Sequence, residues 1–191
     1  LSIIDIEGGA QPMACDGGRY QIVFNGEIYN YIELRAVLEG RGRTFATRSD
    51  TEVLIQACAQ FGTDALQHLN GMFAFAVWDR EKQELFLARD RIGIKPLYYT
   101  LVDGELVFAS ELKGLLRYPG VSRRLDRLSI SKYFTYSYIP APHTIFEDVH
   151  KLEPGTFLIF NRKGLRKEGY WDIPLRDNPL STANVDECAA T

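Results

Sequence analysis

An α+β fold, with antiparallel sheets packed against helices, is predicted by three observations. Strand patterns stand at both ends of the chain and helical patterns lie between them. Consecutive strands follow one another as meanders, without the strand and helix alternation of βαβ units. At 191 residues the chain is long enough for one domain with a substantial core, burying on the order of 70% of the surface an unfolded chain exposes.

The chain opens on LSIID, an apolar β-branched run read as a strand over residues 1–6. The absence of an initiator Met leads to the expectation of a truncated or incompletely observed chain that starts mid-strand. Its expected partner is a strand over 20–24, reached through a loop holding Gly8-Gly9 and Asp16-Gly17-Gly18. That strand stops at Asn25-Gly26-Glu27. Asn-Gly ordinarily marks a hairpin, because both residues tolerate positive φ. A hairpin needs a second strand of period 2, whereas Ile28, Tyr31, Leu34 and Leu38 beyond the Asn-Gly pair have a helical spacing. The expectation is therefore strand, sharp corner, helix. Such a corner leaves backbone N–H groups and the Asn amide to donate to a ligand oxygen.

The helix runs over about 30–39 and closes at Gly40 and Gly42. In RSDTEVLIQACAQFG, Ser49 and Glu52 form a capping box ahead of Val53, Leu54, Ala57 and Phe61, and Gly62 ends that helix. A short helix over 64–69 leads through Asn70-Gly71 into MFAFAVWD, whose unbroken hydrophobicity marks a strand buried on both faces. ELFLARD, PLYYTLV and ELVFAS come after it, and together the four make an antiparallel meander. A helical turn over 111–116 and a helix over 125–134, with Leu128, Ile130 or Ser131, and Phe134 inward, precede the Pro-containing YIPAPHTI. TIFEDV comes next, then the hairpin TFLIFNRKGLRKEGYW, turned at Arg162-Lys163-Gly164. Residues 174–191 are small, polar and Pro-containing, a linker composition, so the domain spans 1–173.

Composition excludes several functions. A net charge of −3 with scattered Lys and Arg offers no footprint for nucleic acid. No apolar run approaches the roughly 20 residues that span a bilayer. Cys15, Cys58 and Cys188, widely spaced, fit a reducing compartment, with the cytoplasm as default. Isolated His68, His143 and His150 leave no structural metal site.

Among residues that could carry chemistry, Asp50 stands at a helix N-terminus. There it complements the helix dipole or accepts from a ligand ammonium. Arg48 beside it reads as a solvated side chain. The charges of ARDRIGIKPLYY suit a loop between strands that can also wall a site or dock a neighbouring domain. Cys58 lies mid-helix and reads as core, and Cys15 lacks a nearby His. The residues thus supply an anion-stabilising corner and a carboxylate, but no attacking group.

Seven stretches in order, LSIID with GGAQPM, VFNGEIYNYIELR, SDTEVLIQA, LNGMFAFAVWD, ARDRIGIKPLYY and FASELKGLL, cover nearly all of residues 1–119. In these the chain resembles the glutamine amidotransferase domain of glutamine-hydrolysing asparagine synthetases, class II amidotransferases of the N-terminal-nucleophile hydrolase superfamily. The resemblance implies a four-layer αββα sandwich of two antiparallel sheets. It implies that glutamine lies along the strand Leu1, Ser2, Ile3 and Ile4. It makes Asn25 and Gly26 the oxyanion hole, Glu27 a substrate contact and Asp50 the acceptor of the substrate ammonium. It implies no cofactor in this domain, and ATP and Mg²⁺ in a covalently linked synthetase domain that amidates aspartate; a homodimer stays open. The family's nucleophile is an N-terminal cysteine with its own α-amine as base. The Met-Cys-Gly-Ile start and the Arg preceding LSII are absent here, so the 191 residues alone are expected to be inactive. A non-catalytic glutamine-binding or docking domain, an amidotransferase for another carboxylic acid, and a self-processing protease of the same superfamily are the alternatives.

Overall fold

The apolar run GMFAFAVWD forms β3 (Gly71–Asp79) in a computed structural model that describes residues 4, 5 and 8–174. It lies within a six-stranded antiparallel sheet alongside β1 (Met13–Cys15), β2 (Tyr20–Ile28), β4 (Glu84–Arg89), β8 (Thr156–Asn161) and β9 (Gly164–Gly169), in the order β1-β2-β3-β4-β8-β9. Alternation sends Phe73, Phe75 and Val77 to one face and Ala74 and Ala76 to the other. Both sets are buried, which is why the run reads as unbroken hydrophobicity. The first set packs with Leu34 and Leu38 of α1 (Tyr31–Glu39) and with Val53, Leu54 and Cys58 of α2 (Asp50–Phe61). Ala74 and Ala76 pack with Leu87, Leu97, Tyr99, Leu152 and Leu158 in a second core between the sheets. The smaller sheet holds β5 (Tyr98–Val102), β6 (Glu105–Ala109) and β7 (His150–Lys151) in the order β6-β5-β7. α4 (Leu112–Leu115) packs on β5 and β6, and α3 (Ala65–His68) follows α2 after one 3-10 turn. Two antiparallel sheets with helices around them are the α+β fold expected. No helix among the described residues is long and apolar enough to cross a membrane.

The corner after Phe24 is not where the helical spacing puts it. β2 continues through Asn25, Gly26 and Glu27 to Ile28 in unbroken register with β3, Asn25 opposite Ala74 and Gly26 opposite Phe73. The chain turns at Tyr29 and Asn30, where the Asn30 carboxamide donates to His68 O and accepts from Asn70 N–H, both at 2.9 Å. Ile28 belongs at once to the strand and to the helix-facing core, so its apolar side chain matches either period. The other neighbour of β2 is β1, inside the stretch expected to be loop. Of the expected strand over 1–6, Ile4 sits in a bend and Asp5 in irregular backbone, while Leu1, Ser2, Ile3 and Ile6 lie outside the described residues. Residues 175–191 of the expected linker do so too.

The expected meander is divided between the sheets: β3 pairs with β4 in one and β5 with β6 in the other. Arg89 and Asp90 hold the crossing. The Asp90 carboxylate accepts from the N–H groups of Phe73, Ile94 and Lys95, and the Arg89 guanidinium donates to the carbonyls of Gly93, Lys95 and Leu152. Two of the charges of ARDRIGIKPLYY, Arg89 and Asp90, therefore satisfy backbone groups that are wholly or partly buried, which a turn between hydrogen-bonded strands would not need. Ser49 caps α2 through Thr51 N–H, but Glu52 turns back to the N–H groups of Ala46 and Thr47, so the capping box is open. α5 (Arg127–Tyr136) forms with the opposite face inward. Ser129 is buried, hydrogen-bonded to the capping Asp126, while Leu128 and Phe134 are 60% and 82% exposed.

Candidate active site

Hydrogen-bond alternation along β2 decides which groups face β3. Tyr29 N–H donates to Asn70 O and Arg80 N–H to Arg19 O, so the odd-numbered residues of β2 bond with β3 and the even-numbered ones turn their N–H groups away. Phe24 N–H accordingly donates to Gln11 Oε1 at 2.6 Å and Ile28 N–H to Asp50 Oδ2 at 3.1 Å. Gly26 N–H, midway between them, points to the same side. A side chain there would force the strands to shift: a Cβ on Gly26 would lie 2.1 Å from Met72 O and 2.8 Å from Phe73 Cα.

Asn25 projects from the face of β2 that looks toward the smaller sheet. There it lines a cavity of about 210 Å³ with Val23, Ala74, Ala76, Phe108 and Ser110. Its Nδ2 donates to Ser110 Oγ at 3.3 Å, which occupies one of the two N–H bonds of the amide. Two adjacent residues thus carry one side-chain and one backbone donor at the same end of β2.

Asp50, at the start of α2, is 6% exposed and tied to β2 by the Ile28 N–H. Burial pushes its carboxyl above the ordinary carboxylate range, and the neighbouring charge of Glu27 acts in the same direction, against the N–H bonds from Ile28 and Thr51. A carboxylate placed in this way gains most from a cation. The Asp5 carboxylate accepts from Arg48 N–H and Gly8 N–H, both at 2.9 Å, and these bonds hold it below the usual range. The same bonds bring Ile4 and Asp5 beside the loop leading into Asp50. The structure therefore joins Asn25, Gly26, Glu27 and Asp50 through one strand end, with the Ile4 segment against the loop preceding α2. Leu1, Ser2 and Ile3 are outside the described residues.

Neither described cysteine is poised to attack. Burial pushes the Cys15 thiol up to about 12 and the Cys58 thiol further still, so both remain protonated packing groups. Among the described residues no group of three His, Cys, Asp or Glu side chains could hold a metal ion. Two residues of the site escape sequence reasoning, Gln11 in a Gly-rich loop and Ser110 between a strand and a helix. The sequence signal for Ser110 is its place within FASELKGLL.

A family profile described as glutamine amidotransferase domain matches residues 1–171. The chain belongs to this family. Among its curated relatives, the asparagine synthetase [glutamine-hydrolyzing] 3 of Bacillus subtilis (strain 168) is 43% identical, covering 100% of this chain and 31% of that protein. The asparagine synthetase [glutamine-hydrolyzing] 1 of the same organism is 46% identical, covering 82% and 24%. The amidotransferase domain thus spans about a quarter to a third of the length of these relatives. It also superposes on the glutamine phosphoribosylpyrophosphate amidotransferase of B. subtilis complexed with ADP and GMP, with a TM-score of 0.57 at 25% identity over 84% of this chain and 32% of that one. Its likeness to an allosteric regulatory enzyme of purine biosynthesis, TM-score 0.59 at 24% identity over 86% and 32%, is one of fold.

Proposed function

We propose that this domain hydrolyses glutamine to glutamate and ammonia, and the observation that supports the reading is that Asn25, Gly26 and the Asp50 carboxylate all stand at one end of β2. The glutamine ammonium is held by Asp50, whose buried charge it neutralises, with Glu27 beside it and the Leu1 to Ile4 segment along the substrate. The attacking thiol comes from outside the described residues, in keeping with the family's N-terminal cysteine and its α-amine base. Its sulfur adds to the amide carbon while the thiol proton passes to the amine, and the carbonyl electron pair moves onto oxygen. Asn25 Nδ2 and Gly26 N–H donate to that oxyanion, each worth about 2.7 to 4 kcal/mol in the transition state. Collapse expels the nitrogen, which takes the proton and leaves as ammonia. Water then cleaves the thioester to glutamate and frees the thiol.

In a longer protein like these relatives the ammonia passes to a linked synthetase domain. That domain would bind ATP and Mg²⁺, which would supply the energy to activate an acceptor carboxylate, with aspartate as acceptor in keeping with the names of the relatives. The test is glutamate release by the full-length protein. Asn25→Ala is expected to lower kcat about 100-fold or more with little change in KM. Asp50→Ala raises the KM for glutamine by roughly 10- to 100-fold, the value of a charge-assisted bond. Glutamine binding without hydrolysis by the wild type would replace this reading with the non-catalytic one.

A further inference from the structure

We infer that Ser110 is a positioning residue for the oxyanion hole, locking the Asn25 carboxamide in the plane that presents its second N–H to the reacting carbonyl. The inference rests on the glutaminase reading above. β2 fixes the backbone of Asn25 but not the torsion of its terminal amide, a bond with a broad rotational preference. Packing does not fix it either. The residue opposite Asn25 in β3 is Ala74, and Ala74, Ala76 and Ala109 leave the cavity of about 210 Å³ beside the amide. What meets the amide is the Ser110 hydroxyl, accepting from Nδ2 at 3.3 Å across 85 residues of sequence.

The position of Ser110, after the last residue of β6 and just before α4, would suit a helix cap. The capping position of α4 is nevertheless Glu111, which makes no side-chain cap bond, and the Ser110 hydroxyl is engaged with Asn25. The hydroxyl therefore serves the site and not the helix. Since Ser110 follows the smaller sheet and Asn25 belongs to the larger one, the geometry of the hole depends on how the two sheets are seated.

The test uses the full-length protein with glutamate release as the assay. Ser110→Ala is expected to lower kcat about three- to tenfold, the usual net strength of one hydrogen bond, with the KM for glutamine within about twofold of wild type. Ser110→Thr, which keeps the hydroxyl, restores most of the rate. In the Asn25→Ala background the further change Ser110→Ala has no effect, because the group it acts through is gone. A rate loss that multiplies in the double variant, or one tracking a fall in the thermal midpoint, overturns the inference in favour of a structural role. Unchanged kcat in Ser110→Ala overturns it while leaving the glutaminase reading intact. A wild type that releases no glutamate overturns both.

Discussion

Gly26→Ala tests the strand geometry on which the site depends. The added Cβ would lie 2.1 Å from Met72 O, 2.8 Å from Phe73 Cα and 2.9 Å from Phe24 Cε2. Two of these atoms are backbone of β3, which is hydrogen-bonded on both sides, to β2 and to β4, and cannot retreat without disturbing both ladders. Contact at an ordinary distance near 3.4 Å requires the strands to part locally by about 1 Å. That places the substitution at the upper end of the overpacking range, about 3 kcal/mol. For a domain of this size the thermal midpoint then falls by roughly 6–12 °C. On the proposed glutaminase reading the same shift moves the Gly26 N–H away from the developing oxyanion, and a displacement near 1 Å costs on the order of 100-fold in rate. Thermal unfolding and glutamate release by the full-length variant measure the two effects separately. A midpoint unmoved from that of the wild type, together with full activity, would refute the close approach.

Asp50→Asn keeps an oxygen to accept the Ile28 N–H but removes a buried charge, so it is expected to raise the thermal midpoint while weakening glutamine binding. Because the folded carboxyl is shifted above its ordinary value of 3.8, the wild type loses stability as pH rises from that value through the raised one; the advantage of the variant is full at neutral pH and vanishes in acid, as melts across pH will show. Arg89→Lys replaces three spread nitrogens by one, which cannot reach all three separate carbonyls, and is expected to leave at least one acceptor unpaired, a cost of about 1 to 3 kcal/mol seen as a lower denaturation midpoint; an unchanged midpoint would show that these bonds contribute nothing. Cys15 and Cys58, buried and protonated, are expected to resist iodoacetamide in the native protein and react fully in denaturant; rapid native labelling of either would contradict their assignment to the core.

Local rules recovered most elements but not their partners. Period and capping residues place α1, α2 and β3 because each signal, such as Ser49 before Asp50 or Gly62 after Phe61, is contained within a few residues. Sheet membership is not local: PLYYTLV reads the same whether it pairs with β4 or leaves for a second sheet, and the decision lies in the Arg89 and Asp90 bonds to distant backbone. The pattern of α5 predicts Leu128, Ile130 or Ser131, and Phe134 inward, since nothing in it says that Asp126 draws Ser129 inward. Asn25, Gly26, Glu27 and Asp50 could be named from their motifs. That Gly26 turns its N–H away from β3 is fixed only by the register, and Ser110 meets Asn25 only once the sheets are stacked.

The same register explains an apparent weakness in the central strands. Glycine and alanine are poor strand residues, yet Gly26, Ala74 and Ala76 occupy β2 and β3 where larger β-branched side chains would pack more tightly. Each small residue removes volume at a particular place. Gly26 lets β3 come within contact of the strand that carries the donors, and Ala74 and Ala76 leave the cavity into which Asn25 reaches. Departures from local preference concentrate at functional sites when the remaining structure can support them. Here the support is Phe73, Phe75 and Val77 on the helix-facing side of the same strand, all nearly fully buried. The strand is thus divided by face: one side packs for stability, and the other is kept small so that an amide can be held by the Ser110 hydroxyl, just beyond the end of β6.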